Sequence, residues 1–213
     1  MTSVFTNSEN DERFFARLEG KLTRDELMLL YHAYVMAMHG HINQKRDGGK
    51  PYFYHCQETA IILMDELDIY DPEMIMAALL HDMLEDSTLI SPQQIKIIFG
   101  PRVMGLVVTL TKPKKICQHF ASDADRHKFY FIKIKNASLD AKIIKLCDRL
   151  HNLRTLDECA EEKRSRKIKE TKDIYLPLID DVAKTKPEVA EFFNREFAKC
   201  FEALELATKE SQQ

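Results

Sequence analysis

Two stretches of the sequence place metal-binding side chains inside otherwise apolar helical patterns. In the first, His81 and Asp82 end the apolar run 77–80, and Glu85 and Asp86 follow one helical turn later. Burying charged groups of this kind is costly unless they are paired or bound to a metal. The pattern therefore favours a metal-centred site over a plain core helix.

The second stretch is the apolar helical pattern 139–156, which contains Asp148 and Asn152 one turn apart. Residues three or four apart share one face of a helix, so these two side chains are expected to point the same way. A third predicted helix begins near His55. We expect the three helices to converge and four side chains to bind one ion: His55, His81, Asp82 and Asp148.

This expected ligand set contains two imidazoles and two carboxylates. Such a mixed set suits Mn²⁺, Fe²⁺, Co²⁺ or Zn²⁺ better than Mg²⁺ or Ca²⁺, which prefer oxygen ligands. A metal of this kind lowers the pKa of bound water. Glu85 and Asp86 are candidates to orient or deprotonate that water, and Arg149 and Arg154 are candidates to neutralise phosphate charge.

A loop with three cations precedes His55. The segment 41–52 breaks the helical pattern with Gly-Gly and Pro, and it contains Lys45, Arg46 and Lys50. A solvated turn is the ordinary explanation of such a segment. Its position directly before a candidate metal ligand favours a loop that faces a bound ligand.

Composition excludes several classes of protein. The chain has 213 residues and a formal net charge of -3, which gives no general attraction to nucleic acid or to an anionic membrane. The 5 cysteines are widely spaced and odd in number, which argues against a disulfide framework and a structural zinc site. No apolar run approaches the ~20 residues that a membrane-spanning helix needs, and residues 1–20 do not resemble a secretory signal. We expect a cytoplasmic protein.

The helix signals predict an all-α fold, a single helical bundle of about ten helices. Capping boxes begin at Thr23 and Ser91, and Asp71 precedes a proline at a helix start. Pro177 should kink or split the amphipathic helix 161–184, and 113–125 is expected to be a loop beside the site. We expect three parts: an N-terminal segment with a short helix (1–24), the metal-dependent domain (25–183) and a C-terminal helix packed on it (184–213).

Several segments resemble the hydrolase domain of RelA/SpoT homologues, which degrade the alarmone ppGpp and belong to the HD-domain phosphohydrolases. The resemblance covers about residues 25–180. The segments that carry it are Gln44 to His55, Ala77 to Asp86, Phe99 to Lys112, Lys145 to Leu156 and Glu170 to Leu178.

The resemblance implies a Mn²⁺ enzyme that removes pyrophosphate from the ribose 3′ position of ppGpp or pppGpp and leaves GDP or GTP. It implies the same four metal ligands, with Glu85 and Asp86 activating the water. It further implies that Arg46 packs on guanine and that Asn152 binds the nucleotide. The other expected substrate contacts are Lys45, Arg154, Thr155 and Thr171. We expect His151 to have a structural role.

The sequence departs from the family pattern in two ways. Asp47 stands where the family commonly has Lys, and a carboxylate there would repel a phosphate, so Lys45 or Lys50 is the expected substitute. Only about thirty residues follow the matched region, too few for a synthetase domain. The resemblance is therefore to a stand-alone small alarmone hydrolase.

Two other functions stay open at this point. One is an HD phosphohydrolase for another nucleotide, such as an adenine alarmone or a phosphorylated dinucleotide cofactor; Asp47 and the irregular segment 113–125 leave room for it. The other is a ppGpp-binding module without catalysis, which the presence of all ligands and of Glu85 and Asp86 disfavours. The sequence does not decide whether the chain forms a homo-oligomer.

Overall fold

The structure, a computed structural model, describes residues 9–86, 90–113 and 122–210. In these ranges the chain forms helices and no β-strand; one isolated β-bridge joins Lys45 and Pro51. The prediction of an all-α fold with about ten helices is confirmed. The α-helices are α1 (Glu9–Ala16), α2 (Arg24–Gly40), α3 (Phe53–Ile61), α4 (Pro72–Leu80), α5 (Met83–Asp86), α6 (Pro92–Phe99), α7 (Pro101–Leu110), α8 (Asp123–Lys135), α9 (Leu139–Arg154), α10 (Glu161–Glu170), α11 (Leu176–Ala183) and α12 (Pro187–Glu210).

The helix starts follow the local capping chemistry of the sequence. The N–H of Glu26 donates to the Thr23 hydroxyl, and the Glu26 carboxylate accepts the N–H of Thr23 in return. Ser91 and Gln94 form the same reciprocal pair at the start of α6. Asp71 accepts two backbone N–H groups in the first turn of α4. Each such cap stabilises its helix by about 1 kcal/mol, and all three predicted starts are confirmed.

Helix α9 lies at the centre of the core and contacts α3, α4, α7, α8, α11 and α12. Its sequence is apolar enough to be covered on several sides, with Ile144, Leu146, Cys147 and Leu150 fully buried. Helix α12 covers α9 and α11 with its apolar stripe, which is rich in phenylalanine. Because α9 is surrounded, any polar side chain that it carries inward is also buried.

The helices are interrupted at three places. The chain passes through π-helical turns at Ile62–Glu66, directly after α3, and at Thr171–Tyr175, between α10 and α11. Pro177 lies in the first turn of α11, where its missing N–H costs nothing. His81 and Asp82 form a turn between α4 and α5, which differs from the continuous helix expected from the sequence.

Most of the expected loop 113–125 lies outside the described residues, which resume at Ser122, the N-cap of α8. Among the described helices, none combines the length and the apolar character needed to cross a membrane.

Candidate metal centre and nucleotide cleft

Four side chains from three parts of the fold converge on one point. His55 comes from the first turn of α3, His81 and Asp82 from the turn after α4, and Asp148 from the middle of α9. Nε2 of His55 lies 3.1 Å from Asp148 Oδ1 and 3.8 Å from Asp82 Oδ2. Nε2 of His81 lies 3.1 Å from Asp82 Oδ2 and 3.9 Å from Asp148 Oδ1. The structure thus brings together all four residues that the sequence nominates as ligands.

The His81 ring is arranged to offer Nε2 to a metal. Its Nδ1 lies 2.8 Å from the carbonyl oxygen of Ala78. A carbonyl oxygen can only accept, so Nδ1 carries the proton and Nε2 of the neutral ring has a free lone pair. In the neutral ring that buried Nε2 has no donor among the described residues, because its neighbour at 3.1 Å is the Asp82 carboxylate, which also only accepts. A buried polar atom without a partner is costly, and a bound cation would remove that cost.

His55 has a comparable arrangement with His151, whose Nδ1 lies 2.7 Å from Nδ1 of His55. Burial, followed by the neighbouring His55 and Arg46, lowers the pKa of His151 to about 3. His151 is therefore neutral at physiological pH and can accept the Nδ1 proton of His55, which frees Nε2 of His55. His151 lies three residues after Asp148 on the same face of α9; that spacing is the signal from which this role could have been predicted.

The charges at the centre favour a cation. Burial disfavours the charged form of both imidazoles. For His55 burial prevails and the pKa is lowered, whereas for His81 the carboxylates of Asp82 and Asp148 outweigh burial and raise the pKa to about 9. The same negative potential that holds a proton on His81 would favour a divalent ion. His55, His81 and Asp82 already offer ligand atoms within 4.8 Å of one another.

Both carboxylates are held by neighbouring donors. The Tyr52 hydroxyl donates to Asp82 Oδ2 at 2.7 Å. Nζ of Lys145 donates to Asp148 Oδ2, and Nδ2 of Asn152 donates to Asp148 Oδ1, both at 2.5 Å. No role for Tyr52 or Lys145 follows from the sequence alone. The role of Tyr52 depends on a contact between separate elements. Lys145 lies three residues before Asp148, a spacing of lysine and aspartate that is common in helices.

Glu85 lies in the same cleft, one turn beyond Asp82. Burial, followed by the charge of Asp82, raises the pKa of its carboxyl above the ordinary value. Its Oε2 accepts the backbone N–H of Lys112 at 3.2 Å, and no residue that the structure describes hydrogen-bonds its Oε1. A carboxylate with a raised pKa is suited to accept a proton near neutral pH. The side chain of Asp86 lies outside the described residues.

The cleft around these groups has a volume of about 350 Å³ and is strongly basic. Among its lining residues, cations outnumber the carboxylates of Asp47, Asp82, Glu85 and Asp148, although the whole chain carries a net charge of -3. Such a local field attracts a polyanion. The cationic lining residues are Lys45, Arg46, Lys112, Lys145, Arg149, Lys163 and Lys167.

Arg46 is fixed in one orientation at the wall of the cleft. Its Nη2 donates to Asn152 Oδ1 at 2.8 Å and to Thr155 Oγ1 at 3.2 Å, and its guanidinium lies 5.9 Å from the centre of the Tyr52 ring. Asn152 therefore links Arg46 to the candidate metal ligand Asp148. Lys45 also lines the cleft.

Two of the expected substrate contacts are placed elsewhere. The Arg154 guanidinium binds Glu66 at 2.5 Å and Glu196 at 3.0 Å, and it does not line the cleft. The Thr171 side chain is fully buried, and its hydroxyl donates to the carbonyl of Lys167. Both expectations are corrected: Arg154 joins α9 to α12 and to the segment after α3, and the Thr171 hydroxyl is satisfied by a carbonyl of the preceding helical turn.

Asp47, the departure from the family pattern, does not stand alone in the cleft. Its Oδ2 accepts the Cys159 thiol at 2.9 Å and forms an ion pair with Lys163. The thiol and then the lysine hold the pKa of Asp47 below its usual range. Lys163 offsets the negative charge that the sequence alone suggests would repel a phosphate.

Comparison with known proteins agrees with this geometry. Residues 33–204 match the family described as HD domain. The chain belongs to that family. Its sequence relatives include RelA/SpoT proteins, such as the bifunctional (p)ppGpp synthase/hydrolase SpoT of Escherichia coli, which is 37% identical over 158 residues, so the resemblance inferred from the motifs is confirmed.

One such relative, a Synechocystis sp. protein named probable guanosine-3′,5′-bis(diphosphate) 3′-pyrophosphohydrolase, is 39% identical over 153 residues, covering 70% of this chain and 20% of that protein. Another, the GTP pyrophosphokinase rsh of Brucella suis, is 44% identical over 152 residues, with the same coverage of 70% and 20%. The chain spans about a fifth of the length of these curated relatives.

A solved structure of a metazoan ortholog of SpoT, which hydrolyses ppGpp, has the same fold. It superposes with a TM-score of 0.67 at 28% sequence identity and covers 84% of this chain and 96% of its own. The HD-domain fold of the chain is therefore matched over nearly the whole of a known hydrolase.

Proposed function

We propose that this HD-domain chain hydrolyses ppGpp and pppGpp at the ribose 3′ position and releases pyrophosphate with GDP or GTP. One observation carries the proposal. A two-histidine, two-aspartate cluster, a carboxylate with a raised pKa and an excess of cations share one cleft of nucleotide size. The activities named for the Synechocystis and metazoan relatives support the same choice of substrate.

The ion that fits the cluster is a divalent transition metal, and Mn²⁺ is our proposal. Two imidazole nitrogens and two carboxylate oxygens favour such ions over Mg²⁺ and Ca²⁺. Bound there, the ion supplies a lowered pKa for water and neutralisation of phosphate charge. The ligands would be His55, His81, Asp82 and Asp148.

Glu85 is the proposed general base. It lies beyond Asp82 on the cleft side and keeps Oε1 available. In the reaction, the water oxygen forms a bond to the phosphorus attached to ribose O3′, and Glu85 takes the water proton. The bond between that phosphorus and O3′ breaks, its electron pair stays on O3′, and O3′ takes up a proton. Asp86 remains a predicted second carboxylate of this step.

The remaining lining residues would bind and orient the nucleotide. The pyrophosphate is expected against the cationic wall formed by Lys112, Lys145, Arg149 and Lys167. Arg149 is held by Glu170 at 2.8 Å and lies 4.0 Å from the centre of the Tyr175 ring, so its guanidinium is positioned before any ligand binds. The guanine would pack on Arg46, whose plane Asn152 and Thr155 fix.

The decisive experiment is hydrolysis of ppGpp by the purified chain with Mn²⁺, with and without a chelator, followed by anion-exchange separation of the nucleotides. We expect GDP and pyrophosphate in equal amounts, and no products when the chelator is present. Intact ppGpp in a sample that is folded and has bound Mn²⁺ would refute the proposal.

A further inference from the structure

The lining of the nucleotide cleft combines two kinds of surface. Lys145 pairs with the candidate ligand Asp148, Lys112 contacts Glu85, and Arg149 and Lys167 line the same cleft. The lining also contains Leu153, Leu156 and Cys159 together with Arg46 and Asp47, and Asp47 contacts the Cys159 thiol and Lys163. We assign the phosphates to the cations around the candidate ligands and the flat, largely apolar base to the surface with the leucines and the Arg46 guanidinium, called the base end below.

Asp47 is built into the base end rather than left on a free loop. The turn that carries it is closed by hydrogen bonds from Gly49 N–H to Arg46 O and from Arg46 N–H to Lys50 O, both 2.9 Å. The turn also packs against the segment after α9: Lys50 pairs with Glu158 at 3.1 Å, and a Cβ added at Gly48 would lie 2.2 Å from the Glu158 carboxylate. The position of Asp47 is therefore fixed by contacts on both of its sides.

The free oxygen of Asp47 is the important feature. The Cys159 thiol and Lys163 both bind Oδ2, and no residue in the described ranges hydrogen-bonds Oδ1, which leaves that oxygen for a ligand at the wall of the cleft. An ionised carboxylate only accepts hydrogen bonds. It is unfavourable next to a phosphate and favourable next to a base edge that carries donors.

We infer that Asp47 determines base specificity by accepting hydrogen bonds from the N1–H and N2–H₂ donors of guanine. This inference rests on the proposed function. Adenine offers a lone pair at N1 and no amino group at C2, so the same approach would place two acceptors against each other. A site built around one hydrogen-bonding pattern rejects a base that lacks it, because its own polar group is left without a partner.

The test compares binding of two nucleotides that differ only in the base. The affinities of guanosine and adenosine 3′,5′-bis(diphosphates) for the full chain are measured by calorimetry with a chelator present, so that no turnover occurs. The variants are Asp47→Asn and, as a matched control, Asp157→Asn, an equally small change at an exposed position outside the cleft. The Asp47 side chain is 44% exposed, so the substitution should leave folding intact, which a melting curve checks.

The wild type should prefer the guanosine compound, and Asp47→Asn should lower the ratio of the two affinities by roughly 10- to 100-fold, the range for hydrogen bonds to a charged group. The substitution also frees Lys163 and strengthens phosphate binding, but that change affects both nucleotides and cancels in the ratio. Asp157→Asn should leave the ratio unchanged.

An unchanged ratio in Asp47→Asn, no preference in the wild type, or no binding of either nucleotide would overturn the inference. Hydrolysis with Mn²⁺ is measured separately on the same samples. A base preference that depends on Asp47, without turnover, would refute the proposed function and leave the inference standing. Turnover of ppGpp with a base preference that does not depend on Asp47 would support the proposed function and refute the inference.

Discussion

Replacing Lys145 by methionine tests whether the buried ion pair beneath the metal centre holds Asp148 in place. The two side chains are 5% and 6% exposed, and their charged atoms are 2.5 Å apart. Burial disfavours both charges, but their mutual attraction prevails: the pKa of Lys145 is raised and that of Asp148 is lowered. Methionine keeps most of the volume and removes only the cation, so a buried carboxylate loses its strongest partner.

Breaking one side of a buried pair costs about 3–5 kcal/mol. Asn152 and His55 still contact Asp148, so we expect the lower end, about 3 kcal/mol. For a domain of this size, that corresponds to a fall in melting temperature of roughly 6–12 °C. Added Mn²⁺ should recover part of the loss, because the ion would replace the missing positive charge next to Asp148.

The assay is denaturant unfolding without metal and with saturating Mn²⁺, on the wild type and two variants. Lys169→Met is the matched control: Lys169 pairs with Asp173 at 2.6 Å, but the two side chains are 77% and 56% exposed. Such a surface pair contributes about 0.3–0.5 kcal/mol. If Lys145→Met destabilises the metal-free chain no more than Lys169→Met does, the buried pair does not hold Asp148 and the reasoning is wrong.

Three further predictions concern the site. Glu85→Gln should retain Mn²⁺ affinity and lower kcat by about 10²–10⁴-fold. Because the pKa of Glu85 is raised, the rate of the wild type should fall as the pH drops through that pKa. The rate–pH profile of the variant should lack this decrease at acidic pH. Asp148→Ala should abolish Mn²⁺ binding, measured by calorimetry, while circular dichroism still shows a helical protein. Arg154→Met should lower the melting temperature through loss of its pairs with Glu66 and Glu196 and leave KM unchanged; a raised KM would return Arg154 to the substrate site.

The sequence was sufficient where local chemistry or helix periodicity decides the structure. A capping box needs only two suitable residues three positions apart in the sequence. The helix starts at Thr23 for α2 and at Ser91 for α6 could therefore be located from the sequence. The convergence of the four candidate ligands was equally accessible, because a charged side chain in an apolar helix must find a partner when that helix enters the core. His55, His81, Asp82 and Asp148 could be nominated together for that reason.

The sequence was insufficient where one residue can choose among several distant partners. Arg154 could face a phosphate or a carboxylate, and only the fold shows that Glu66, 88 residues away, lies beside it. The pairing of Asp47 with Cys159 and Lys163 likewise depends on the loop docking against the segment after α9. The π-helical turns have no comparable local signal, because they depend on how neighbouring helices pack.

The two candidate histidine ligands differ in how easily mutation can disturb them. The proton on His81 is fixed by the backbone carbonyl of Ala78, an acceptor that no substitution at position 78 removes as long as α4 ends where it does. The corresponding partner of His55 is the side chain of His151, which a single nucleotide change can eliminate. Random substitutions that accumulate in this protein should therefore disturb the orientation of His55 before that of His81. Among the supports of the two histidines, substitutions that lower metal affinity should therefore be concentrated at position 151.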